Sequence, residues 1–361
     1  MTKALVVTVV HHPDDARIRH RQIAALLDAG WAVTYAAPFS GYDVGRRPHP
    51  GLTTVDLPRA SGRRRLTALR AARTLLAGEA NRHDVVLLHD PELLLAVRGL
   101  RIGPPVVWDV HEDTAAALST KPWLPGPLLG PTRGLVRAAE RAAERRHRLL
   151  LAEDAYQRRF RRLHPVVPNT ALVPPWVTPP DHPRVVYVGH LTRARGVLEM
   201  IELGRLLAGT GIRVELIGHA DAEATAALTA GTHLVDWRGF LPLGAAMARA
   251  SGALAGLSLL HDEPNYRHSR PTKVVEYLAQ GIPVITTPLP LARALVAESG
   301  GGLVVPFESP RRVAAAVLTL WEHPQQRLTM AASGHAYARR HLDWSVHAPA
   351  FVAALAEAAA A

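Results

Sequence analysis

Short runs of β-branched and apolar residues alternate with helical segments along this chain, and this alternation is the main constraint on its fold. The alternation stops once, in a proline-rich stretch at 169–183, and then starts again. A strand followed by a helix and a second strand forms a parallel sheet. Because 361 residues exceed one ordinary core, the sequence predicts an α/β protein with two doubly wound, Rossmann-like domains.

The predicted domain limits follow from the two halves of the pattern. Residues 1–168 form the first domain, 169–183 the linker, 184–343 the second domain and 344–361 a C-terminal helix. The predicted strands are 3–10, 31–37, 52–57, 84–88, 105–110, 149–152, 184–188, 214–217, 234–237, 253–258, 284–287 and 303–305. The predicted helices are 16–29, 63–76, 91–100, 133–148, 196–207, 222–228, 244–250, a short one ending at Gly281, 310–321 and the tail from 325, which Trp344 breaks; a loop is predicted at 121–131.

Composition excludes several classes of protein. No apolar run is long enough to span a membrane, and the first residues read as a strand instead of a signal peptide. Without cysteine there is neither a disulfide framework nor a thiolate metal site, so a cytoplasmic location is expected.

The charge of +11 comes from 39 arginines and 3 lysines. Arginines cluster at 59–73 and 133–162 with apolar residues at helical spacing, which predicts two amphipathic helices. Each basic face is either solvated or docks peripherally on an anionic membrane surface. Nucleic acid is not an expected partner, because aromatics are only 5% of the chain and no nucleic-acid-binding motif occurs.

The stretch Pro264–Thr287 carries the most specific chemistry in the chain. It reads PNYRHSRPTKVVEYLAQGIPVITT, a polar loop followed by a short helix and a buried strand. Ser269 is predicted as the N-cap, with Pro271 in the first turn. The amides of this helix start form an anion site, and Lys273 adds a cation beside them. Glu276 lies one turn beyond Thr272 and Lys273, where it can accept hydrogen bonds from hydroxyl groups.

This stretch resembles the donor-site signature of the GT-B glycosyltransferases, specifically the large retaining family 4. The resemblance implies two Rossmann-like domains facing a central cleft, with Glu276 on the donor ribose and the helix start on the diphosphate. The family's phosphate clamp matches the loop Gly189, His190 and Arg195, although relatives carry arginine where His190 stands. Relatives also often carry a glutamate close to the donor sugar at the position that His268 occupies here, so the resemblance implies different sugar contacts. The predicted donor-binding residues are therefore Gly189, His190, Arg195, His268, Ser269, Thr272, Lys273 and Glu276.

Further candidates follow the strands of the first half, where ligands of open α/β sheets bind. The string DVHED, which begins at Asp109, is similar to the family, and its histidine lies near the reacting sugar in relatives. His111 and Asp109 are thus the candidate catalytic residues, although Asp109 can instead orient a neighbour. The loop after the first strand resembles family members in its D-x-R-I segment near the acceptor; alternatively, Asp14 or Asp15 caps the helix. The predicted acceptor-side residues are His11, Asp15, Arg17 and His89.

The predicted function is retaining transfer of a sugar from a nucleoside diphosphate sugar to an acceptor, as in glycan or natural-product biosynthesis. The resemblance implies no cofactor and no required metal, with the nucleotide sugar as co-substrate. The acceptor is either a small molecule or a lipid-linked glycan. Two alternatives stay open, a GT-B nucleotide-sugar epimerase and a non-catalytic module that binds a sugar nucleotide or a membrane.

Overall fold

The computed structural model describes residues 1–46, 48–118, 126–268 and 270–360. The chain divides into two compact units. The first unit consists of Met1–Asn169 together with His347–Ala361, and the second of Thr170–Val346. Each unit contains one six-stranded sheet flanked by helices, which confirms the predicted α/β class with two Rossmann-like sheets.

The sheet of the first unit is parallel throughout. Its strands are β1 (Lys3–Val7), β2 (Ala32–Ala37), β3 (Leu52–Asp56), β4 (Val85–Leu88), β5 (Val106–Val110) and β6 (Arg148–Leu151). They lie in the order β3-β2-β1-β4-β5-β6. In the central strands Leu5 pairs with Thr34 and Val86, and Leu5 and Val86 are fully buried, because helices cover both faces of a doubly wound sheet.

The helices of the first unit follow its strands. They are α1 (Ala24–Asp28), α2 (Arg65–Glu79), α3 (Leu93–Val97), α4 (Thr114–Ala117) and α5 (Gly126–Arg146), with 3₁₀ turns at Ser40–Tyr42, Gly62–Arg64, Ala80–Arg82 and Asp154–Arg159. A π-helix, Ile18–Ile23, replaces the first part of the helix predicted at 16–29. The backbone amide of Gln22 donates to the backbone carbonyl of Arg17, five residues earlier. In this π-helical turn the side chains of Arg17 and Gln22 therefore lie on the same face.

The loop predicted at 121–131 is wrong over its second half. Residues 121–125 lie outside the described residues, but α5 already begins at Gly126. Pro127 falls in the first turn, where an amide has no intrahelical partner, and Pro131 lies inside the helix. Two prolines and two glycines therefore concealed the first turns of a 21-residue helix.

The sheet of the second unit is also parallel throughout. Its strands are β7 (His182–Val188), β8 (Arg213–Ile217), β9 (Asp236–Trp237), β10 (Ala253–Ser258), β11 (Val284–Thr286) and β12 (Gly302–Val304). They lie in the order β12-β11-β10-β7-β8-β9. The helices are α6 (Val197–Leu206), α7 (Ala222–Ala230), α8 (Leu243–Ala250), α9 (Thr272–Ala279), α10 (Pro290–Ser299), α11 (Pro310–Glu322), α12 (Pro324–His341) and α13 (Trp344–Ala359), with a 3₁₀ turn at Arg193–Arg195.

Two features of the second unit differ from the prediction or refine it. The helix α10 was not predicted, and the predicted break at Trp344 is confirmed as the start of α13. Within α13, the residues from His347 onward group with the first unit.

The helix α9 is fixed closely to the sheet of the second unit. A Cβ atom at Gly256 of β10 would lie 2.5 Å from the ring of Tyr277, so only glycine allows this ring to lie on the strand. The Tyr277 hydroxyl accepts a hydrogen bond of 2.9 Å from the amide of Val188, the last residue of β7. The order of strands reverses between β7 and β10, and ligands of such sheets bind beyond the carboxyl ends at this point. The start of α9 is therefore held at the expected ligand edge.

Candidate functional site

The start of α9 offers backbone donors at the ligand edge of the second unit. The N-cap residue of α9 is Pro271, in an extended conformation, so the prediction that Pro271 lies within the first turn is wrong by one position. The predicted N-cap, Ser269, lies outside the described residues. Among the described residues, the amides of Thr272 and Lys273 find no acceptor. Exposed first-turn amides together with the helix dipole favour an anion.

Lys273 is buried beside the loop that follows β7. Its Nζ lies 5.0 Å from the centre of the Tyr187 ring, and a Cβ atom at Gly189 would lie 2.9 Å from this Nζ. Gly189 has φ +136°, so glycine serves both the backbone conformation and the close approach. Burial and the charge of Arg195 outweigh the attraction of Glu276 and lower the pKa of Lys273 to about 7.

Arg195 completes a cationic pair with Lys273. It ends the 3₁₀ turn after β7. Burial lowers the pKa of Arg195, but the neighbouring hydroxyls of Tyr187 and Tyr266 raise it, and the net change is upward. The Tyr187 hydroxyl in turn donates to the carbonyl of His190 at 2.7 Å. Tyr187 is therefore a neighbour of both cations. The sequence interpretation missed this role because Tyr187 reads as an ordinary strand residue.

The remaining donor-side predictions occupy positions around this pair. His190 is exposed as a residue, but partial desolvation of its ring and the charge of Arg195 lower its pKa, which favours a neutral hydrogen-bonding ring over a second clamp cation. Glu276 is half-buried one turn beyond Thr272. Thr272 and His268 are exposed. Tyr266, which belongs to the quoted motif, was assigned no role from sequence.

A second cluster lies at the carboxyl ends of β1, β4 and β5 in the first unit, with Asp109 at its centre. Arg17 donates to both carboxylate oxygens of Asp109 at 2.7 Å, and Gln22 donates to one of them at 3.0 Å. His89 Nδ1 lies 3.2 Å from the Asp109 carboxylate. Burial alone would raise the pKa of Asp109, but Arg17 and His89 hold it well below its usual range.

Three of the predicted site residues are buried. Asp109 is 0% exposed, Arg17 5% and His89 1%. Asp109 supports its neighbours, and Arg17 donates to Asp109 and to the Val167 carbonyl. The sequence placed these residues at the right edge of the sheet but could not show which of them reach its surface.

His111 is held by two contacts. Its Nδ1 lies 3.1 Å from the Asp109 carbonyl, and its Nε2 lies 3.0 Å from Nε2 of His11. Burial and His11 lower the pKa of His111 to about 3, so its ring is neutral near pH 7.

Two carboxylates fix the loop after β1. Asp15 accepts hydrogen bonds from the amides of Arg17 and Ile18, so the alternative that it caps this helical segment is confirmed. Burial raises the pKa of Asp15, but His11 and the Ile18 amide reverse the shift, and the net change is downward. Asp90 accepts hydrogen bonds from the Thr8 hydroxyl and from the backbone amides of Val9 and Val10. The sequence analysis gave Asp90 no role, because Asp-Pro after a strand is typical of a turn.

Among the described residues, two groups have side chains close enough to share a metal ion, His89 with Asp109 and His111, and Glu199 with His261 and Glu308. In the first group the Asp109 oxygens already bind the Arg17 guanidinium, so a metal ion would lie against a buried positive charge. In the second group His261 Nε2 lies 3.0 Å from Glu199, and Glu308 is exposed.

Comparisons with known proteins agree with this geometry. A model described as "Glycosyl transferase 4-like domain" matches residues 16–176, and one described as "Glycosyl transferases group 1" matches residues 182–323. No curated protein matches the chain in sequence.

Solved structures show the same fold over nearly the whole chain. A sucrose-phosphate synthase from Thermosynechococcus elongatus is 17% identical, with a TM-score of 0.77 and 99% of each chain covered. Anabaena Alr3699/HepE in complex with UDP-glucose is 15% identical, with a TM-score of 0.72 and 99% of this chain and 100% of that chain covered. WaaG, a glycosyltransferase involved in lipopolysaccharide biosynthesis, is 15% identical, with a TM-score of 0.69 and 97% of this chain and 98% of that chain covered.

Proposed function

Because the chain belongs to the GT-B glycosyltransferases and resembles their family 4, we propose that it transfers a sugar with retention from a nucleoside diphosphate sugar to an acceptor hydroxyl. The second unit binds the donor, and the histidine cluster of the first unit serves the sugar or the acceptor. The acceptor belongs to glycan or natural-product biosynthesis. The observation that carries the proposal is the cationic pair at the start of α9.

The closeness of the two positive charges of Lys273 and Arg195 is energetically unfavourable unless an anion binds to them. Lys273 is buried and its pKa falls to about 7 partly because Arg195 lies beside it. A diphosphate would bring negative charge between these groups and accept hydrogen bonds from the amides of Thr272 and Lys273. Such a site binds a diphosphate more strongly than a neutral ligand.

The same groups stabilise the transition state of transfer. The bond from the anomeric carbon to the diphosphate oxygen breaks, and negative charge grows on the departing oxygen while the sugar becomes oxocarbenium-like. Arg195, Lys273 and the α9 amides are positioned to stabilise this growing charge. In the front-face route the acceptor oxygen bonds to the anomeric carbon on the same side, and its proton passes to the departing phosphate oxygen. No separate base is needed, so the histidines of the first unit position hydroxyl groups.

Uridine nucleotides are the first donors to test, because the similar HepE was solved with UDP-glucose. We expect UDP to raise the melting temperature of the wild type. The change Glu276→Ala should weaken UDP binding about 10- to 100-fold, since a carboxylate that accepts from the ribose hydroxyls is lost. Thermal shift and calorimetric titration measure this effect.

The matched control is Glu223→Ala, which removes an exposed carboxylate of α7. This variant should bind UDP like the wild type. Stabilisation by no nucleoside diphosphate of a uridine, guanosine and adenosine panel would reject the proposed function. Unchanged affinity in Glu276→Ala would show that the ribose lies elsewhere.

We also propose peripheral contact of the first unit with an anionic membrane. The arginine-bearing helices α2 and α5 expose large apolar side chains, Leu66 at 64% and Leu135 at 71%. Arginine attracts anionic lipid and exposed leucine enters the interface. In the described part of the chain, no helix is both long and apolar enough to cross a bilayer.

We expect the wild type to sediment with phosphatidylglycerol vesicles and not with phosphatidylcholine vesicles, and Leu135→Glu should reduce the bound fraction severalfold. The control is Leu163→Glu, since Leu163 is 89% exposed but belongs to neither helix. Equal binding to both kinds of vesicle, or an equal loss in the two variants, would reject this docking face.

A further inference from the structure

A cavity of about 900 Å³ lies between α3 and α5 in the first unit, and the proposed sugar transfer does not use it. Its wall is mostly apolar, with Leu94, Leu95 and Val97 from α3 and Trp108 from β5. Trp108 is 2% exposed and forms the floor, whereas Leu95 is 60% exposed and lies at the rim. The cavity is therefore an open groove with an apolar floor, within the size range of ligand sites.

Small residues of α5 leave room on the other side of this groove. Ala139, Ala142 and Ala143 follow Val136 at the spacing of one helix face, and all four residues line the cavity. From Val136 to Arg146 the lining extends along about 15 Å of helix. One lipid chain has about this length, because the hydrocarbon core of a bilayer, about 30 Å thick, holds two chains end to end.

Positive charge gathers at one end of the groove. Arg98 follows the last residue of α3 and Arg146 ends α5, and both are exposed residues of the cavity lining. Arg73 of α2 donates to the carbonyls of Ala96 and Arg98 at 2.9 and 2.8 Å, so it caps the end of α3 and adds a third positive charge nearby. This end of the groove favours an anionic group.

The other end of the groove carries carboxylates. Glu92 lies at the start of α3 and pairs with Arg65 at 2.9 Å. Glu140 of α5 pairs with Arg159, which also donates at 3.0 Å to the carbonyl of Glu112 after β5. Both Glu92 and Glu140 line the cavity. A negatively charged headgroup is therefore favoured at the arginine end and disfavoured at this one.

The arginine end lies at the edge of the sheet that is opposite to the ligand edge. The helices α3 and α5 each run from the carboxyl end of one strand to the amino end of the next, so Arg98 precedes β5 and Arg146 precedes β6. Substrates of open α/β sheets bind beyond the carboxyl ends of the strands. A lipid with its headgroup at the arginine end is therefore not the acceptor of the proposed transfer.

We propose that the groove between α3 and α5 binds one chain of an anionic membrane phospholipid, with the lipid phosphate on Arg98 and Arg146. One apolar chain together with a cluster of basic residues is sufficient for stable attachment to a membrane. The bound lipid attaches the first unit to the membrane and leaves the ligand edge free. This site goes beyond the proposed transfer, and it differs from docking of exposed leucines on a bilayer because it takes a single lipid molecule.

A short-chain lipid below its micelle concentration tests the groove separately from bilayer docking, because a monomeric lipid offers no membrane surface. Calorimetric titration of dihexanoyl phosphatidylglycerol into the full chain should show saturable binding of one lipid per protein. Dihexanoyl phosphatidylcholine, which has no net charge, should bind about fivefold more weakly or less, since the arginines act on the net charge of the headgroup.

A tryptophan in the groove should compete with the lipid chain. Ala139 is exposed and lines the cavity, so Ala139→Trp should weaken binding of dihexanoyl phosphatidylglycerol about tenfold or more. The control is Ala138→Trp, which adds the same side chain at the preceding exposed position, outside the cavity lining, and should bind like the wild type. Melting temperature and UDP affinity report whether both variants are folded.

Charge removal tests the headgroup contact without changing the apolar floor. Arg98→Gln combined with Arg146→Gln should weaken binding of the anionic lipid about tenfold or more. The control combines Arg101→Gln with Arg145→Gln, which removes the same charge from exposed positions outside the lining. At physiological salt this control should change the affinity less than about twofold, because screening weakens charges that do not contact the headgroup.

Three results overturn the proposal: no saturable binding to the wild type, equal affinity for the two lipids, or equal losses in a variant and its control. A dimer of the wild type in light scattering that Ala139→Trp dissociates also overturns it, because a second copy of the chain would then occupy the groove. Failure of the wild type to bind any nucleoside diphosphate rejects the proposed transfer instead and leaves the lipid site unaffected.

Discussion

Replacing Lys273 by methionine should lower kcat/KM for sugar transfer by about 100- to 1000-fold, as loss of a group that stabilises a developing oxyanion typically does. Methionine keeps the length of a side chain that is only 8% exposed, so the loss reports the charge and not a cavity. Arg195→Met should cause a loss of similar size, because both cations act on the departing diphosphate. Steady-state kinetics with the best donor of the panel measure both effects.

The matched control lies in the same loop. Arg193 carries the same charge, but it is exposed and pairs with Glu223. Arg193→Met should retain kcat/KM within about twofold, because an exposed ion pair contributes little. Losses of equal size in all three variants would mean that general positive charge matters and that the site at α9 has been misplaced.

The second large effect is on stability. Asp109→Ala should lower the free energy of unfolding by about 3–5 kcal/mol, because it leaves the buried Arg17 guanidinium without its carboxylate. The control is Glu79→Ala, which breaks the exposed pair with Arg82 and should cost less than about 1 kcal/mol. Urea unfolding followed by circular dichroism gives both values.

A paired replacement and the pH dependence test the same assignment. Arg17→Met combined with Asp109→Leu should recover a large part of the loss, since an apolar pair needs no buried charge. The pKa of Asp109 is lower in the folded protein than its ordinary 3.8, so its stabilisation is present above that pH and is lost as the pH falls below it. A loss in Asp109→Ala no larger than that in Glu79→Ala would contradict the ion pair.

Most of the fold was predictable because periodicity is a local property. The strand Ala253–Ser258 was predicted with its observed bounds, since its buried apolar run has turn residues on both sides. The helix α10 was overlooked because Pro288 and Pro290 resemble a loop. Its signals were nevertheless present, Pro290 in the first turn and Gly300 in the left-handed position after the last.

The candidate site was predictable only in part, because its contacts join distant residues. Lys273 and Glu276 belong to one local motif and were named from it. The contact of Arg17 with Asp109 spans 92 positions and that of His11 with His111 spans 100. Topology places such residues at one edge of a sheet, but no local pattern states which pairs form hydrogen bonds.

The sequence also did not show which of the three strand-end histidines reach the protein surface. His11, His89 and His111 all follow parallel strands and look equivalent there. The structure separates them, because His89 is buried and both ring nitrogens of His111 lie close to protein atoms, whereas the side chain of His11 is 21% exposed. Exposure depends on how helices cover the sheet, which is a property of packing and not of residue type.

Proton uptake on nucleotide binding tests the central claim most directly. With a pKa of about 7, Lys273 is about nine-tenths neutral at pH 8, and a bound diphosphate raises its pKa again. The bound state therefore holds more protons, and UDP affinity falls as the pH rises above about 7. Calorimetric titration of UDP at pH 8 in two buffers of different ionisation enthalpy should show uptake of nearly one proton in the wild type and almost none in Lys273→Met. Binding of UDP without proton uptake in the wild type, together with unchanged UDP affinity in Lys273→Met, would contradict a diphosphate site at Lys273.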